Sequence, residues 1–326
     1  MIKARVVSLS ELGGADVIKV IDKELPPPSK GEVQIRQTAI GFNFIDIYQR
    51  SGYYPLDLPT GLGHEAVGVV EALGDGVAGL KVGDRVMYMN AGIGAYASAR
   101  NVAADKLVPV PNNIADEVAA AVFFKAMTAQ YLIQKTYKVK AGDIVLVHAA
   151  AGGVGQILAG WAKALGAFVV GSVGSQAKVA IAKAAGCDAV VDYSQPSWVE
   201  EFLKATSGKK ANVVYDSVAK TTFMGSLDCV APFGTLALFG ASSGPAPEIQ
   251  PEILNKKGCL FLTRPSVFPH NATHALLQEN AKAVFDAIAK GYVKVQIGAK
   301  FPLEEAADAH RAAEGRKVSG AIVMIP

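Results

Sequence analysis

The residues with the clearest chemical meaning form one run, His148-Ala149-Ala150-Ala151-Gly152-Gly153-Val154-Gly155. An apolar stretch, Ile144–Val147, precedes it. A helical pattern follows, with Val154, Ile157, Leu158, Trp161 and Leu165 on one stripe and Gly166 placed to end it. Glycines between a strand and a helix let backbone pass close to a pyrophosphate, whose charge the helix N-terminus favours. A GGVG string alone also fits an ordinary tight turn. The strand–glycine–helix order is what makes this a dinucleotide site. The end of the next apolar run should choose the dinucleotide. An Asp or Glu there would hold both ribose hydroxyls of an unphosphorylated cofactor. The chain instead reads Gly171-Ser172-Val173-Gly174-Ser175-Gln176-Ala177-Lys178, with hydroxyls and a lysine but no acid. Ser175 and Lys178 would attract a 2′-phosphate, although a plain helix cap at Ser175 and a surface lysine would look the same. The pattern points to NADPH.

Those residues need a framework, and the pattern supplies one from near residue 118 onward. An Ala-rich helix is expected over Val118–Thr136. Apolar runs then alternate with helical ones. The strands are Ile144–Ala149, Phe168–Val173, Ala189–Asp192, Val213–Asp216, Thr235–Phe239 and Gly258–Thr263. The helices are Val154–Leu165, Gln176–Ala185, Trp198–Thr206 and Phe223–Val230. Six apolar strands separated by helices mean a parallel sheet covered on both faces. The expectation is a doubly wound α/β domain with strand order 3-2-1-4-5-6. Residues 1–110 have a different texture. Short runs such as Glu32–Ile40, Ala66–Leu73 and Arg85–Met89 are punctuated by Gly and by Pro26-Pro27-Pro28, as in an irregular antiparallel barrel. A helix over Asn280–Lys290 and a terminal strand over Ala321–Ile325 are expected to return to this first region, with a cleft between the two domains.

Composition removes several function classes. The 326 residues are 51% hydrophobic and 19% charged, which suits a large core and not disorder. Net charge is +3, and basic residues occur in blocks no longer than pairs such as Lys209-Lys210 and Lys256-Lys257. Nucleic-acid binding is therefore not expected as the main role. The three cysteines, Cys187, Cys229 and Cys259, have no metal-ligand spacing and suit a reducing compartment. With no signal-peptide pattern and no apolar run of about 18 residues, a cytoplasmic protein without a membrane span is expected.

Together these features resemble the zinc-free quinone oxidoreductase (ζ-crystallin-like) branch of the medium-chain dehydrogenase/reductase superfamily. The resemblance spans essentially the whole chain. It rests on Gly41-Phe42-Asn43-Phe44-Ile45-Asp46, Gly61-Leu62-Gly63-His64-Glu65-Ala66-Val67-Gly68, Ala150-Ala151-Gly152-Gly153-Val154-Gly155 and Tyr215-Asp216-Ser217-Val218. It implies an α/β fold, with a GroES-like β-barrel catalytic domain over residues 1–123 and 266–326 and a Rossmann NADPH-binding domain over 124–265. It also implies a homodimer formed through the Rossmann sheet. Asn43, Asp46, Lys125 and Thr128 would then lie near the nicotinamide. Gly152, Gly153 and Val154 would hold the pyrophosphate. Ser175, Lys178 and Tyr193 would surround the 2′-phosphate and adenine. Ser217, Phe239, Gly240, Ser242, Ser243 and Arg264 would line the rest of the groove, with Arg316 near the phosphates. Tyr54 would neighbour the substrate.

Zinc relatives in this superfamily use a cysteine where this chain has Asn43. Their histidine resembles the one in Gly63-His64-Glu65, but no cysteine occurs before Cys187. A lone histidine cannot hold a catalytic zinc, which takes three protein ligands. His64 reads as a hydrogen-bonded residue. Without a Lewis acid, the expected substrates are already electron-poor, as quinones are. Asn43 could offer an amide N–H and Tyr54 a hydroxyl to an oxygen gaining charge. Two other readings stay open: an NADPH-dependent alkenal, enone or 2-enoyl thioester reductase, or a non-enzymatic NADPH-bound or RNA-binding protein.

Overall fold

The computed structural model describes residues 1–294, 296–315 and 318–326. The chain divides into two compact units, Met1–Lys125 with Asn271–Lys282 and Val295–Pro326, and Ala126–His270 with Ala283–Lys294. In chain order the strands are β1 (Ile2–Ser8), β2 (Lys19–Leu25), β3 (Glu32–Gly41), β4 (Glu65–Leu73), β5 (Arg85–Tyr88), β6 (Ala99–Ala103) and β7 (Val108–Pro109). There follow β8 (Ile144–Val147), β9 (Phe168–Val173), β10 (Ala189–Asp192), β11 (Ala211–Asp216), β12 (Val230–Leu238), β13 (Phe261–Thr263), β14 (Ile297–Pro302) and β15 (Ala321–Ile325).

The first unit is built on a sheet with the path β14-β15-β3-β4-β5-β7, and β6 also pairs with β3. Pairing is antiparallel except between β14 and β15. The terminal strand β15 joins β3 through Val323 opposite Gly41. A separate ribbon pairs β1 with β2. Val33, Ile35, Ile40, Leu62, Val86 and Met324 fill the core, each almost wholly removed from water. Helix α1 (Phe44–Arg50) starts directly after β3, and Asn43 occupies its N-cap. Asn is favoured there because its side-chain oxygen can accept from a backbone N–H of the helix's first turn.

The second unit holds a six-stranded sheet in the order β10-β9-β8-β11-β12-β13. Every neighbouring pair is parallel. In order of sequence this is 3-2-1-4-5-6, as expected from the alternation of apolar runs. Val145, Leu146, Val147, Val213, Val214 and Leu236 have no exposed surface, because helices cover both faces of a parallel sheet. Helix α3 (Gly153–Ala164) follows β8 and buries Ile157, Leu158 and Trp161.

Boundaries depart from the sequence pattern at a few places. The helix expected through Thr136 is α2 (Asp116–Tyr131), and its last turn is a π turn over Leu132–Thr136. The Tyr215 hydroxyl donates to the Leu132 carbonyl at 3.1 Å, which draws that carbonyl out of the regular ladder. The helix expected over Gln176–Ala185 begins as a 3-10 turn, Gln176–Lys178, before α4 (Val179–Ala184). The strand expected from Thr235 starts at Val230, and the helix expected from Asn280 starts at His274.

Candidate functional site

In the second unit the glycine loop forms a cradle. Gly152 is the N-cap of α3, with extended backbone, and its own N–H is spent on the Ala149 carbonyl at 2.8 Å. The next N–H groups, from Gly153 onward, open the helix and have no carbonyl four residues back within it. Gly152 is exposed, and Gly153 and Val154 are half-buried. A Cβ at Gly155 would overlap the Ala149 carbonyl oxygen, so only glycine lets the helix start this close to the loop. Here the chain fits a pyrophosphate, with donors in a helix N-terminal turn and the backbone open to approach.

The structure brings the three residues expected at a 2′-phosphate to neighbouring strand ends. Ser175 follows β9 and is the N-cap of the 3-10 turn that carries Lys178, yet its side chain makes no capping bond. Tyr193 follows β10, and its backbone N–H donates to the Val173 carbonyl at 2.9 Å. Its ring crosses the loop at Gly174, where a Cβ would stand 2.6 Å from the Tyr193 hydroxyl oxygen. No acidic side chain stands between Phe168 and Lys178. Of the remaining groove residues, Ser217 follows β11 and Phe239 and Gly240 follow β12, all half-buried. The Ser242 backbone N–H donates to the Ser217 carbonyl at 3.1 Å, while the Ser243 hydroxyl donates to the Val218 carbonyl at 2.7 Å. These bonds join the ends of β11 and β12. Arg264 donates to the Leu238 carbonyl at 2.9 Å, and Thr128 is buried on α2. Arg316 lies outside the described residues.

Under the glycine loop sits a polar network that the sequence reading missed. Asp216 is fully buried and accepts from the Val218 and Ala219 backbone N–H groups at 2.8 and 3.0 Å. It also accepts from the Thr222 and Ser226 hydroxyls. Ser226 meets His148 Nε2 at 2.9 Å, and His148 Nδ1 meets Ser172 at 2.6 Å. Burial pushes the His148 imidazole below its ordinary value, against the pull of Asp216, so the ring is held neutral.

In the first unit Asn43 is tied on both sides. Its backbone N–H donates to Asp46 Oδ2 at 2.9 Å, and its side-chain Nδ2 donates to Glu65 Oε1 at 2.7 Å. One amide hydrogen is therefore spent inside the protein, and the other has no partner among the described residues. Glu65 also accepts from the Phe124 backbone N–H at 2.7 Å and lies 3.5 Å from Lys125 Nζ. Lys125 donates to the Phe42 carbonyl at 2.9 Å. Burial raises the Glu65 carboxyl above the usual range, and Lys125 and Asn43 oppose it. Burial likewise raises Asp46 to about 7. Glu65 was legible only as the neighbour of His64 in a zinc-like motif. Its anchoring role comes from contacts 22 and 59 residues away, which no local signal marks.

Tyr54 is half-buried, and its ring packs edge-on against Tyr48 at 5.5 Å and near Tyr53 at 5.1 Å. Phe44 packs edge-on against Tyr48 at 5.5 Å. Together they make an aromatic cluster along α1 and the segment after it. His64 Nε2 meets Gln49 Oε1 at 3.0 Å, and burial, then Arg100, pushes its imidazole down to about 4. Among the described residues no group of three or more His, Cys, Asp and Glu could hold a metal ion, and no helix is long and apolar enough to cross a membrane.

Comparison with known proteins follows the same two regions. Residues 29–112 match the alcohol dehydrogenase GroES-like domain, and residues 153–290 match the zinc-binding dehydrogenase family. A quinone oxidoreductase of Pseudomonas aeruginosa is 44% identical over 99% of this chain and 100% of its own length. A 2-haloacrylate reductase of a Burkholderia species is 41% identical over 96% of each chain. The crystal structure of Escherichia coli quinone oxidoreductase complexed with NADPH superposes with a TM-score of 0.96. It is 43% identical and covers 99% of this chain and 100% of that one. With a GroES-like region, a six-stranded Rossmann sheet and full-length relatives of this identity, the chain belongs to the quinone oxidoreductase family of the medium-chain dehydrogenase/reductase superfamily.

Proposed function

We propose that the chain is a metal-independent, NADPH-dependent reductase of quinones. The observation that carries the reading is the end of β9. Ser175, Lys178 and Tyr193 gather there with no acid on the strand end. A carboxylate at that place would repel a 2′-phosphate, whereas a lysine and the start of a helical turn favour it. The relative crystallised with NADPH supports the same choice. In this reading residues 124–265 bind the cofactor and residues 1–123 with 266–326 carry the substrate side. Gly152, Gly153 and Val154 hold the pyrophosphate. Ser217, Phe239, Gly240, Ser242, Ser243 and Arg264 line the groove, with Arg316 assigned to the phosphates. Asn43, Asp46, Lys125 and Thr128 serve the nicotinamide end.

When bound, the nicotinamide supplies the reducing equivalent. The chain's own part is position and electrostatics. Glu65 fixes the Asn43 amide through one hydrogen, so the other can meet a substrate oxygen that gains charge without reorganising first. Tyr54 offers its hydroxyl to the same oxygen. The rings of Phe44, Tyr48, Tyr53 and Tyr54 suit a flat, conjugated ring such as a quinone's. The zinc-free part rests on residue types. Asn43 is a poor zinc ligand, His64 is bonded to Gln49, and the cysteines begin only at Cys187.

Two supports favour a homodimer through the Rossmann sheet. Strand β13 is its edge, and Phe261 on it is 62% exposed. Phe233, a positive-φ residue within β12, is 72% exposed. Large apolar side chains on a free sheet edge are a place for a second chain. Three free cysteines, one of them exposed, fit the cytoplasm.

The second reading, reduction of an electron-poor alkene, is favoured by the likeness to the 2-haloacrylate reductase. A substrate panel decides between them. NADPH oxidation is followed in the presence of a chelator with 1,4-benzoquinone, an enone, an alkenal, 2-chloroacrylate and an enoyl thioester. The quinone should give the highest kcat/KM and the chelator no loss. No quinone turnover, or activity lost with one stoichiometric zinc, would contradict the proposal.

A further inference from the structure

The buried carboxylate Asp46 terminates a line of polar side chains that the proposed reaction does not itself require. Arg50 is 2% exposed and makes a forked pair with Glu314, Nη1 to Oε2 at 2.9 Å and Nη2 to Oε1 at 2.6 Å. Its Nη1 also lies 3.2 Å from His310 Nδ1. His310 Nε2 lies 3.2 Å from the Tyr96 hydroxyl, and that hydroxyl donates to Asp46 Oδ2 at 2.9 Å. These residues reach one another across 50 to 264 positions of sequence.

Direction along the line follows from the donor inventory. A guanidinium can only donate, so His310 Nδ1 accepts. A neutral imidazole accepting at Nδ1 carries its hydrogen on Nε2, which must donate to Tyr96. Tyr96 in turn gives its hydrogen to Asp46. Arg50, His310, Tyr96 and Asp46 are therefore linked by bonds that all point the same way, and such chains polarise one another. Oδ2 of Asp46 already accepts two bonds, from Tyr96 and from the Asn43 backbone N–H. Oδ1 is buried with no hydrogen-bond partner among the described residues.

We infer that Arg50, His310 and Tyr96 are positioning residues for Asn43. They hold Asp46 Oδ2 against the Asn43 N–H and leave Oδ1 as the atom that takes up and releases a proton. The consequence for substrate handling rests on the reductase reading above; the proton site itself does not. Other groups face Asp46 as well. Glu65 on β4 raises its carboxyl, Lys125 on α2 lowers it, and burial outweighs both, placing it at about 7. His310, held down to about 3 by burial and by Arg50, stays neutral throughout. When Asp46 is ionised its bond to the Asn43 N–H is charge-assisted and Asn43 is held more firmly. When it is protonated that hold relaxes. The chain thus couples a proton near neutrality to the placement of a substrate-facing amide.

The test uses the ligand-free full chain labelled at the aspartate carboxyl carbon and titrated by infrared difference spectroscopy. Asp46→Asn identifies the band. Wild type should show a protonated-carboxyl band that vanishes with a midpoint of about 7. Tyr96→Phe removes a donor to the charged form and should raise the midpoint by about one to two units. Glu314→Gln leaves more net positive charge on the chain and should lower it by roughly half a unit. Opposite shifts in two variants keep the test open should either one fold poorly. In wild type the quinone kcat/KM should rise with pH through the same midpoint. Absence of any titrating band between roughly pH 5 and 9, or an unmoved midpoint in Tyr96→Phe and Glu314→Gln, would overturn the inference. The stated infrared shifts in a protein that turned over no quinone would uphold the chain and contradict the reductase reading instead.

Discussion

Both units bury carboxylates in a polar network, Asp216 in the second and Asp46 with Glu65 in the first, and the two networks are finished differently. In the second unit both oxygens of Asp216 accept bonds, from two backbone N–H groups and two hydroxyls. Nothing is left over, and the effect is to lock the end of β11 and, through Ser226 and His148, the strand that enters the glycine loop. In the first unit Asp46 has one oxygen without a partner among the described residues, Glu65 shares its oxygens between Asn43, Phe124 and Lys125, and burial raises both carboxyls. A satisfied network is scaffolding. An incompletely satisfied one stores an electrostatic cost, and such costs gather where chemistry is done.

Breaking the scaffold should show first as lost stability. Asp216→Ala leaves four donors in a buried site without their acceptor, and should destabilise the protein by about 3–5 kcal/mol. Thermal or denaturant unfolding measures this, and a change below about 1 kcal/mol would mean that the network is not structural. Breaking the first network should show as lost rate. Asn43→Ala should lower kcat/KM for 1,4-benzoquinone by roughly ten- to a thousandfold, while costing about 1.5–3 kcal/mol of stability because the buried Glu65 loses a donor. Wild-type kinetics in that variant would remove Asn43 from the mechanism.

Cofactor choice gives a smaller effect. A charge-assisted bond to the 2′-phosphate is worth about 1.5–3 kcal/mol, or roughly ten- to a hundredfold. Calorimetric titration should find NADPH binding at least about tenfold tighter than NADH, with most of the difference gone in Lys178→Ala. A preference that survives the substitution moves the phosphate site to Ser175 and Tyr193. The smallest effect concerns pH. Asp46 is raised in the folded chain from 3.8 to about 7. The folded state therefore binds more protons than the unfolded one between those values. Its contribution to stability is present at the acid end and is lost as pH rises through about 7. Unfolding curves of Asp46→Asn should lack this decline, and an identical pH profile in both proteins would contradict it.

How much of this the sequence shows depends on the range of the contacts. The Rossmann sheet was legible down to its strand order, because buried parallel strands read as apolar runs and β9 and β10 begin and end where those runs do. The glycine loop and the absence of an acid after β9 were legible because both are local. The π turn at Leu132 was not, since its cause is a hydroxyl 83 residues away. Likewise Tyr96, His310 and Arg50 carry no local mark. A buried arginine looks like a surface one until its partners arrive from the helix Ala306–Glu314.

The most direct measurement is the steady-state rate of 1,4-benzoquinone reduction by the wild-type chain, with NADPH and with NADH, in the presence of a chelator. The account predicts hydroquinone formed in step with NADPH consumed, and a kcat/KM at least about tenfold above that with NADH. No quinone-dependent oxidation of NADPH, or equal rates with the two cofactors, would contradict it.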